Sequence, residues 1–166
     1  MTINKDFKDL LHHLNVARAR YLVVGAYAVI YYTEPRYTKD LDLWIEPTPL
    51  NAKKVYRALK NFGAPLQDVT ERDLINPLMV YQIGIEPNRI DILMGIGKLG
   101  FAQAWKNRKL SHYGKEPISI LGMDHLISAK REAGRTKDKL DLESLRTVRR
   151  QKVSGKRRPN KVKNLL

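Results

Sequence analysis

The 166 residues of the chain include no cysteine. This absence excludes a disulfide framework, a zinc site built on thiolates and a cysteine nucleophile, and it agrees with a reducing compartment. No apolar run approaches the roughly 20 residues that a membrane-spanning helix requires, and the first residues lack a basic segment followed by an apolar one. We therefore expect a cytoplasmic protein that makes no contact with a membrane.

Acidic residues are missing from the end of the chain, because none follows Glu143. The net charge is +14, and setting aside the eight lysines and arginines of residues 149–166 leaves about +6 for the rest. We expect residues 149–166 to form a basic, flexible tail. Such a tail either attracts nucleic acid, with an affinity that falls as salt rises, or only keeps the protein in solution.

Hydrophobic periodicity divides the rest of the chain into helices and strands. A length of 166 residues with 43% hydrophobic content suits one domain with its own core. The order of elements predicts an α+β fold, in which a mixed β-sheet is packed with helices and further helices precede the tail. Helices are predicted at about 5–18, 26–32, 49–62, 101–105, 123–132 and 137–148, with Thr136 as the N-cap of the last, and strands at 21–25, 40–45, 78–85, 89–94 and 118–120.

The most informative segment is Asp-Leu-Asp-Leu-Trp-Ile at residues 40–45. On a strand, this alternation places Asp40, Asp42 and Trp44 on one face and the apolar residues on the other. Two carboxylates so placed can bridge a pair of divalent cations roughly 3.5 to 4 Å apart, as nucleotidyl transfer requires. An EF-hand is excluded, because Trp44 and Ile45 occupy positions that need a ligand and a glycine. The alternative is a pair of solvated carboxylates at a strand edge.

Other residues suit the same chemistry. Asp91 is either a third carboxylate, which binds metal or accepts a proton, or an ordinary outward-facing strand residue. Gly25 predicts a tight turn into a helix, where backbone N–H groups are open to phosphates. Arg36 and Thr38 either orient the aspartates and touch phosphate, or only close the loop before the strand.

Three motifs together resemble the DNA polymerase beta-like nucleotidyltransferase superfamily, and most closely its minimal and abortive-infection toxin-type branches. They are Gly25-Ala26, Arg36-x-Thr38-x-Asp40-x-Asp42 and Arg89-Ile90-Asp91-Ile92.

This resemblance covers about residues 20–145 and implies a nucleotidyltransferase-like domain over residues 1–148. It implies that Asp40, Asp42 and Asp91 are catalytic and bind Mg²⁺ or Mn²⁺. The family usually has serine or glycine after the turn glycine, whereas this chain has alanine. The nucleotide-binding residues predicted here are Gly25, Ala26, Arg36 and Thr38.

A later segment, Lys130-x-x-x-Gly-Arg-x-Lys-Asp138-x-x-Asp141, looks like a signature of the toxin-type branch. In that branch the lysine is thought to hold the nucleotide phosphates, which implies the same role for Lys130. Asp138 and Asp141 share one face of the predicted helix and would support the lysine. The alternative is an exposed helix with surface ion pairs worth at most about 1 kcal/mol each.

The resemblance implies an enzyme that moves a nucleoside monophosphate from a nucleoside triphosphate to a hydroxyl acceptor. RNA, including transfer RNA, or a protein is the expected acceptor, and the basic tail is expected to bind the RNA. The branch resemblance adds a role as the toxin of a toxin-antitoxin system, with an antitoxin or a small helical partner. The alternatives are a non-catalytic, basic nucleic-acid-binding protein and an interaction module of the same fold. Clustering of the three aspartates would distinguish the enzyme from a simple binder.

Overall fold

The computed structural model describes residues 3–155. These residues form one mixed β-sheet and six α-helices, with a 3-10 turn at Asp73–Ile75. The strands are β1 (Tyr21–Val23), β2 (Asp40–Ile45), β3 (Val80–Ile83), β4 (Arg89–Leu93), β5 (Lys109–Tyr113) and β6 (Glu116–Ile120). The helices are α1 (Lys5–Val16), α2 (Gly25–Tyr32), α3 (Pro49–Phe62), α4 (Phe101–Lys106), α5 (Met123–Ala133) and α6 (Thr136–Val153).

The sheet has the strand order β3-β4-β2-β1-β6-β5. Strand β2 lies inside it, parallel to β4 and antiparallel to β1. Strand β1 also pairs in parallel with β6, whereas the two edge strands, β3 and β5, are antiparallel to their neighbours. Both pairing directions therefore occur in one sheet packed with helices, which confirms the predicted α+β fold class.

Burial fixes the position of β2 in the sheet. Leu41, Leu43 and Ile45 are at most 1% exposed, while Asp40 and Asp42 remain partly accessible. A shift of one residue would turn both aspartates into the core, so the apolar positions hold the register. Trp44 is also buried and packs edge-on against Phe101, with ring centroids 5.1 Å apart. The core thus presents the two aspartates at one fixed place.

Strand β5 was not among the predicted strands. Its inward-facing residues are Ser111 and Tyr113, whereas Leu110 is 72% exposed. The apolar side chain therefore lies on the solvent side of an edge strand, and hydrophobic alternation gives no signal there. Pairing with β6 places Ser111 opposite Ile118 and Tyr113 opposite Glu116.

Helix α6 begins earlier and ends later than the sequence predicts. The prediction of Thr136 as the N-cap is wrong, because Thr136 is the first helical residue and Arg135 is the cap. The N–H of Arg135 donates to the Asp138 carboxylate at 3.2 Å. The helix continues to Val153, so the boundary predicted at residue 148 lies inside it.

The remainder of the predicted tail, residues 156–166, lies outside the described residues. Within residues 3–155, no helix is both long enough and apolar enough to cross a membrane.

Candidate active site

The structure brings the three predicted carboxylates to one region of the sheet. Asp40 and Asp42 lie on β2, and the parallel ladder places Asp42 opposite Asp91 and Asp40 opposite Arg89 on β4. Residues two positions apart on a strand share a face, and paired residues of neighbouring strands do the same. The three aspartates and the arginine therefore emerge on the same face.

Arg89 and Gln82 contact the acids of this region, although sequence reasoning gave neither residue a role. Its Nη2 donates to Asp40 Oδ2 at 2.8 Å and lies 3.1 Å from Asp91 Oδ2. Gln82, opposite Asp91 on β3, donates to Asp91 Oδ1 at 3.1 Å. The signal available in the sequence was the spacing, since Arg89 stands two residues before Asp91 and must share its face.

The electrostatics of Asp42 reflect its burial and its two acidic neighbours. Burial, followed by the charges of Asp40 and Asp91, raises the pKa of Asp42 from 3.8 to about 6. Lys130 and Arg89 act in the opposite direction. Three neighbouring acids are unfavourable unless a positive charge lies close to them. Such groupings are typical of sites that bind cations or catalyse reactions.

The donor set suits a hard divalent cation, because Mg²⁺ and Mn²⁺ prefer carboxylate oxygens. Asp40 and Asp42 would hold such an ion from β2, and Asp91 would hold it from β4. Within residues 3–155, no three acidic or histidine side chains are arranged so that they could hold one metal ion together. The cationic group in contact with Asp40 and Asp91 is the guanidinium of Arg89.

Gly25 lies directly against Asp42. Its φ of +58° is in the left-handed region, and a Cβ added there would stand 1.9 Å from Asp42 Oδ2. The N–H of the preceding Val24 donates to the main-chain oxygen of Asp42 at 3.0 Å, which holds the two segments together. Ala26 follows within α2 and is partly exposed. Only glycine allows this close approach of the helix start to the carboxylate.

Substituting Gly25 by alanine is expected to displace the Asp42 carboxylate and to lower any reaction that depends on this carboxylate by about 100-fold, as misplacement of a reacting group by about 1 Å does. Gly63→Ala is the matched control, because Gly63 also has a positive φ, +87°, but a Cβ there meets nothing within 4 Å. Both variants should lose stability from backbone strain, and only Gly25→Ala should lose activity. Equal activity of the two variants would show that the contact with Asp42 is unimportant.

Lys130 and its two aspartates form a second cluster beside the first. The ammonium lies 2.8 Å from Asp138 and 2.9 Å from Asp141, and all three side chains are largely buried. Burial lowers the pKa of Lys130, but the bonds to both aspartates outweigh this and leave the pKa raised. Lys130 is therefore a permanent positive charge, close enough to Asp42 to lower its pKa.

The loop before β2 connects the two clusters. Arg36 Nη2 donates to Asp141 Oδ1 at 2.7 Å, across 105 positions of sequence. Thr38 Oγ1 donates to Asp40 Oδ1 at 3.0 Å. Asp141 thus accepts from both Arg36 and Lys130, so the loop that leads to Asp40 is tied to helix α6.

Comparison with known proteins gives a likeness of fold. No family model matches the sequence, and no curated protein sequence is similar to it. The structure is similar to that of LnuA, a lincosamide antibiotic adenylyltransferase solved with lincomycin bound. The TM-score is 0.57 at 15% sequence identity, over 87% of this chain and 97% of LnuA. The likeness extends over nearly the whole of that chain and supports the predicted nucleotidyltransferase-like fold.

Proposed function

We propose that the protein is a divalent-cation-dependent nucleotidyltransferase, which moves a nucleoside monophosphate from a nucleoside triphosphate to a hydroxyl acceptor. One observation carries this proposal: Asp40, Asp42 and Asp91 share one face of β2 and β4, with the glycine turn of Gly25 against Asp42. A protein that only binds nucleic acid has no use for three acids gathered within a basic chain.

Each group of residues in the site has its own role in this reaction. Asp40, Asp42 and Asp91 hold Mg²⁺ or Mn²⁺, which when bound supplies charge neutralisation and activation of the attacking hydroxyl. Gly25 leaves the backbone at the start of α2 open to phosphates. Lys130, oriented by its two aspartates, supplies a fixed positive charge for the triphosphate.

RNA is the acceptor that the surface of the protein favours. A cavity of about 290 Å³ at the far end of α2 is lined by Tyr31, Tyr32, Lys109 and Lys152. Aromatic rings beside lysines suit a base and its phosphate. Helix α2 joins Gly25 to this cavity and spans about 10 Å at 1.5 Å per residue, so the cavity is within reach of an RNA chain whose end lies at Asp42. Exposed basic residues continue along α6, at Arg146, Arg149, Arg150 and Lys152.

The contribution of the tail to RNA binding can be measured by truncation after Gly155, which leaves α6 complete. The truncation removes five basic residues, so the slope of log affinity against log salt should flatten by up to about 3.5 for single-stranded RNA. Nitrocellulose filter binding at salt concentrations from about 50 to 300 mM, where counterion release dominates, measures this slope. An unchanged slope would mean that the tail binds no RNA. The residues removed include Lys156, Arg157, Arg158, Lys161 and Lys163.

A small molecule is the competing acceptor, because the similar fold of LnuA is described with an antibiotic bound. The deciding experiment incubates the protein with each α-labelled nucleoside triphosphate, Mg²⁺, and either total RNA, total protein or a small-molecule extract. Label that enters RNA, and is released by ribonuclease but not by protease, is the expected result. Label in none of the three fractions would contradict nucleotidyl transfer.

We also propose that this transferase acts as a toxin, because the segment from Lys130 to Asp141 resembles a signature of the toxin-type branch. An antitoxin or small helical partner would then bind the protein. Induced expression of the wild-type chain should arrest growth, whereas Asp42→Asn should not. Normal growth with active protein present would exclude the toxin role and leave the transferase intact.

A further inference from the structure

Arg89 contacts three carboxylates at once. Its Nη2 lies 2.8 Å from Asp40 and 3.1 Å from Asp91, and its Nη1 lies 3.8 Å from Glu86. Its Nε is buried and donates to no acceptor among the described residues. A buried donor without an acceptor is costly and requires an explanation.

We infer that Arg89 is a built-in counter-ion, which occupies the carboxylates of Asp40 and Asp91 and leaves them when a divalent cation binds. This inference rests on the proposed function, because it assumes that these carboxylates are metal ligands. Arginine keeps its charge at every physiological pH, so it cannot make room by losing a proton. A divalent cation held by the same Asp40 and Asp91 oxygens would stand close to the guanidinium, and the repulsion between the two positive charges would drive the guanidinium away.

The structure offers a place for the displaced guanidinium. Glu86 lies in the turn between β3 and β4, and its side chain is 51% exposed. Its Oε2 already accepts from Lys39 at 3.0 Å, while Oε1 faces Arg89. A small side-chain movement would exchange Asp40 and Asp91 for the more exposed Glu86, with β4 unchanged.

Such an arrangement makes metal binding depend on the nucleotide. Without nucleotide, Arg89 neutralises Asp40 and Asp91 and competes with the cation. The triphosphate adds oxygen ligands for the cation and an acceptor for the guanidinium, since arginine binds phosphate well. The site would then load its metal together with the substrate rather than before it.

The test is the affinity for Mn²⁺ without nucleotide, measured from the loss of the free-ion signal in electron paramagnetic resonance. If Arg89 holds the carboxylates in about nine-tenths of molecules, Arg89→Met should bind Mn²⁺ about tenfold more tightly than the wild type. Arg89→Gln, which keeps polar donors without the charge, should also gain affinity and remains available if the methionine variant fails to fold. Arg20→Met is the control, because Arg20 pairs with Glu46 beyond the other end of β2.

The three possible outcomes distinguish the inference about Arg89 from the proposed function. Tighter binding in the Arg89 variants, with Arg20→Met equal to the wild type, supports the inference. Measurable Mn²⁺ binding that is equal or weaker in the Arg89 variants would overturn it and leave the transferase proposal standing. Absence of Mn²⁺ binding in every protein, with and without nucleoside triphosphate, would overturn the metal site and the proposed function together.

Discussion

Asp42→Asn is expected to abolish nucleotidyl transfer while making the metal-free protein more stable near neutral pH. Asp42 stands between the other two acids and against Gly25, and asparagine removes its charge without changing its size. Transfer should fall by about 10³-fold or more, as it does when an essential catalytic group is lost. The opposite signs of the two effects distinguish a functional carboxylate from a structural one.

The gain in stability follows from the pKa of Asp42, which burial and its acidic neighbours raise from 3.8 to about 6. The folded state therefore holds this proton more tightly than the unfolded state, and stability falls as pH rises from about 4 through 6. A pKa difference of this size corresponds to about 3 kcal/mol of unfolding free energy, fully lost above pH 6. Asparagine has no proton to lose, so the variant should lack this decline.

Urea unfolding in EDTA between pH 4 and 8 measures the effect, with exposed Asp68→Asn as the control. A variant that is less stable than the wild type at pH 7, or that keeps nucleotidyl transfer, would contradict the role assigned to Asp42.

Lys130→Ala is expected to lose both most of its nucleotidyl transfer and much of its stability. The ammonium is the cation of Asp138 and shares Asp141 with Arg36. Its removal leaves a buried carboxylate without a cation, which costs on the order of 3 to 5 kcal/mol. Lys137→Ala is the control, because Lys137 is exposed at the start of α6.

The two losses can be separated by removing the uncompensated charges as well. Lys130→Met combined with Asp138→Asn and Asp141→Asn should recover thermal stability but not transfer, because the positive charge of Lys130 is still missing from the triphosphate site. Transfer at the wild-type rate in Lys130→Ala would show that the lysine serves only the fold.

The sequence predicts elements well where the local pattern and the tertiary environment agree. Strand β2 and the hairpin of β3 and β4 follow from alternation and from the turn between them, and burial holds β2 and β4 in place. Strand β5 escapes prediction because Leu110 faces solvent at the sheet edge. The N-cap of α6 escapes prediction because the Asp138 carboxylate, rather than the Thr136 hydroxyl, accepts a free N–H.

The residues of the candidate site are likewise predictable only where local spacing determines their position. The common face of Asp40 and Asp42 is a consequence of spacing on one strand. The bond between Arg36 and Asp141 spans 105 positions, and the contacts of Arg89 depend on β2 and β4 being neighbours, which no local pattern specifies. Lys130 reaches Asp138 and Asp141 because Gly134, the residue after α5, has a φ of +63° and turns the chain into α6.

The proposed mechanism requires the aspartates of β2 and β4 to hold the divalent cations of nucleotidyl transfer. Crystals grown with Mn²⁺ and a non-hydrolysable nucleoside triphosphate test it directly, through the anomalous signal of manganese. We expect a manganese peak coordinated by the carboxylates of Asp40 and Asp42, with the triphosphate beside Gly25 and Lys130. A bound nucleotide with manganese elsewhere, and Arg89 still on Asp40 and Asp91, would contradict it.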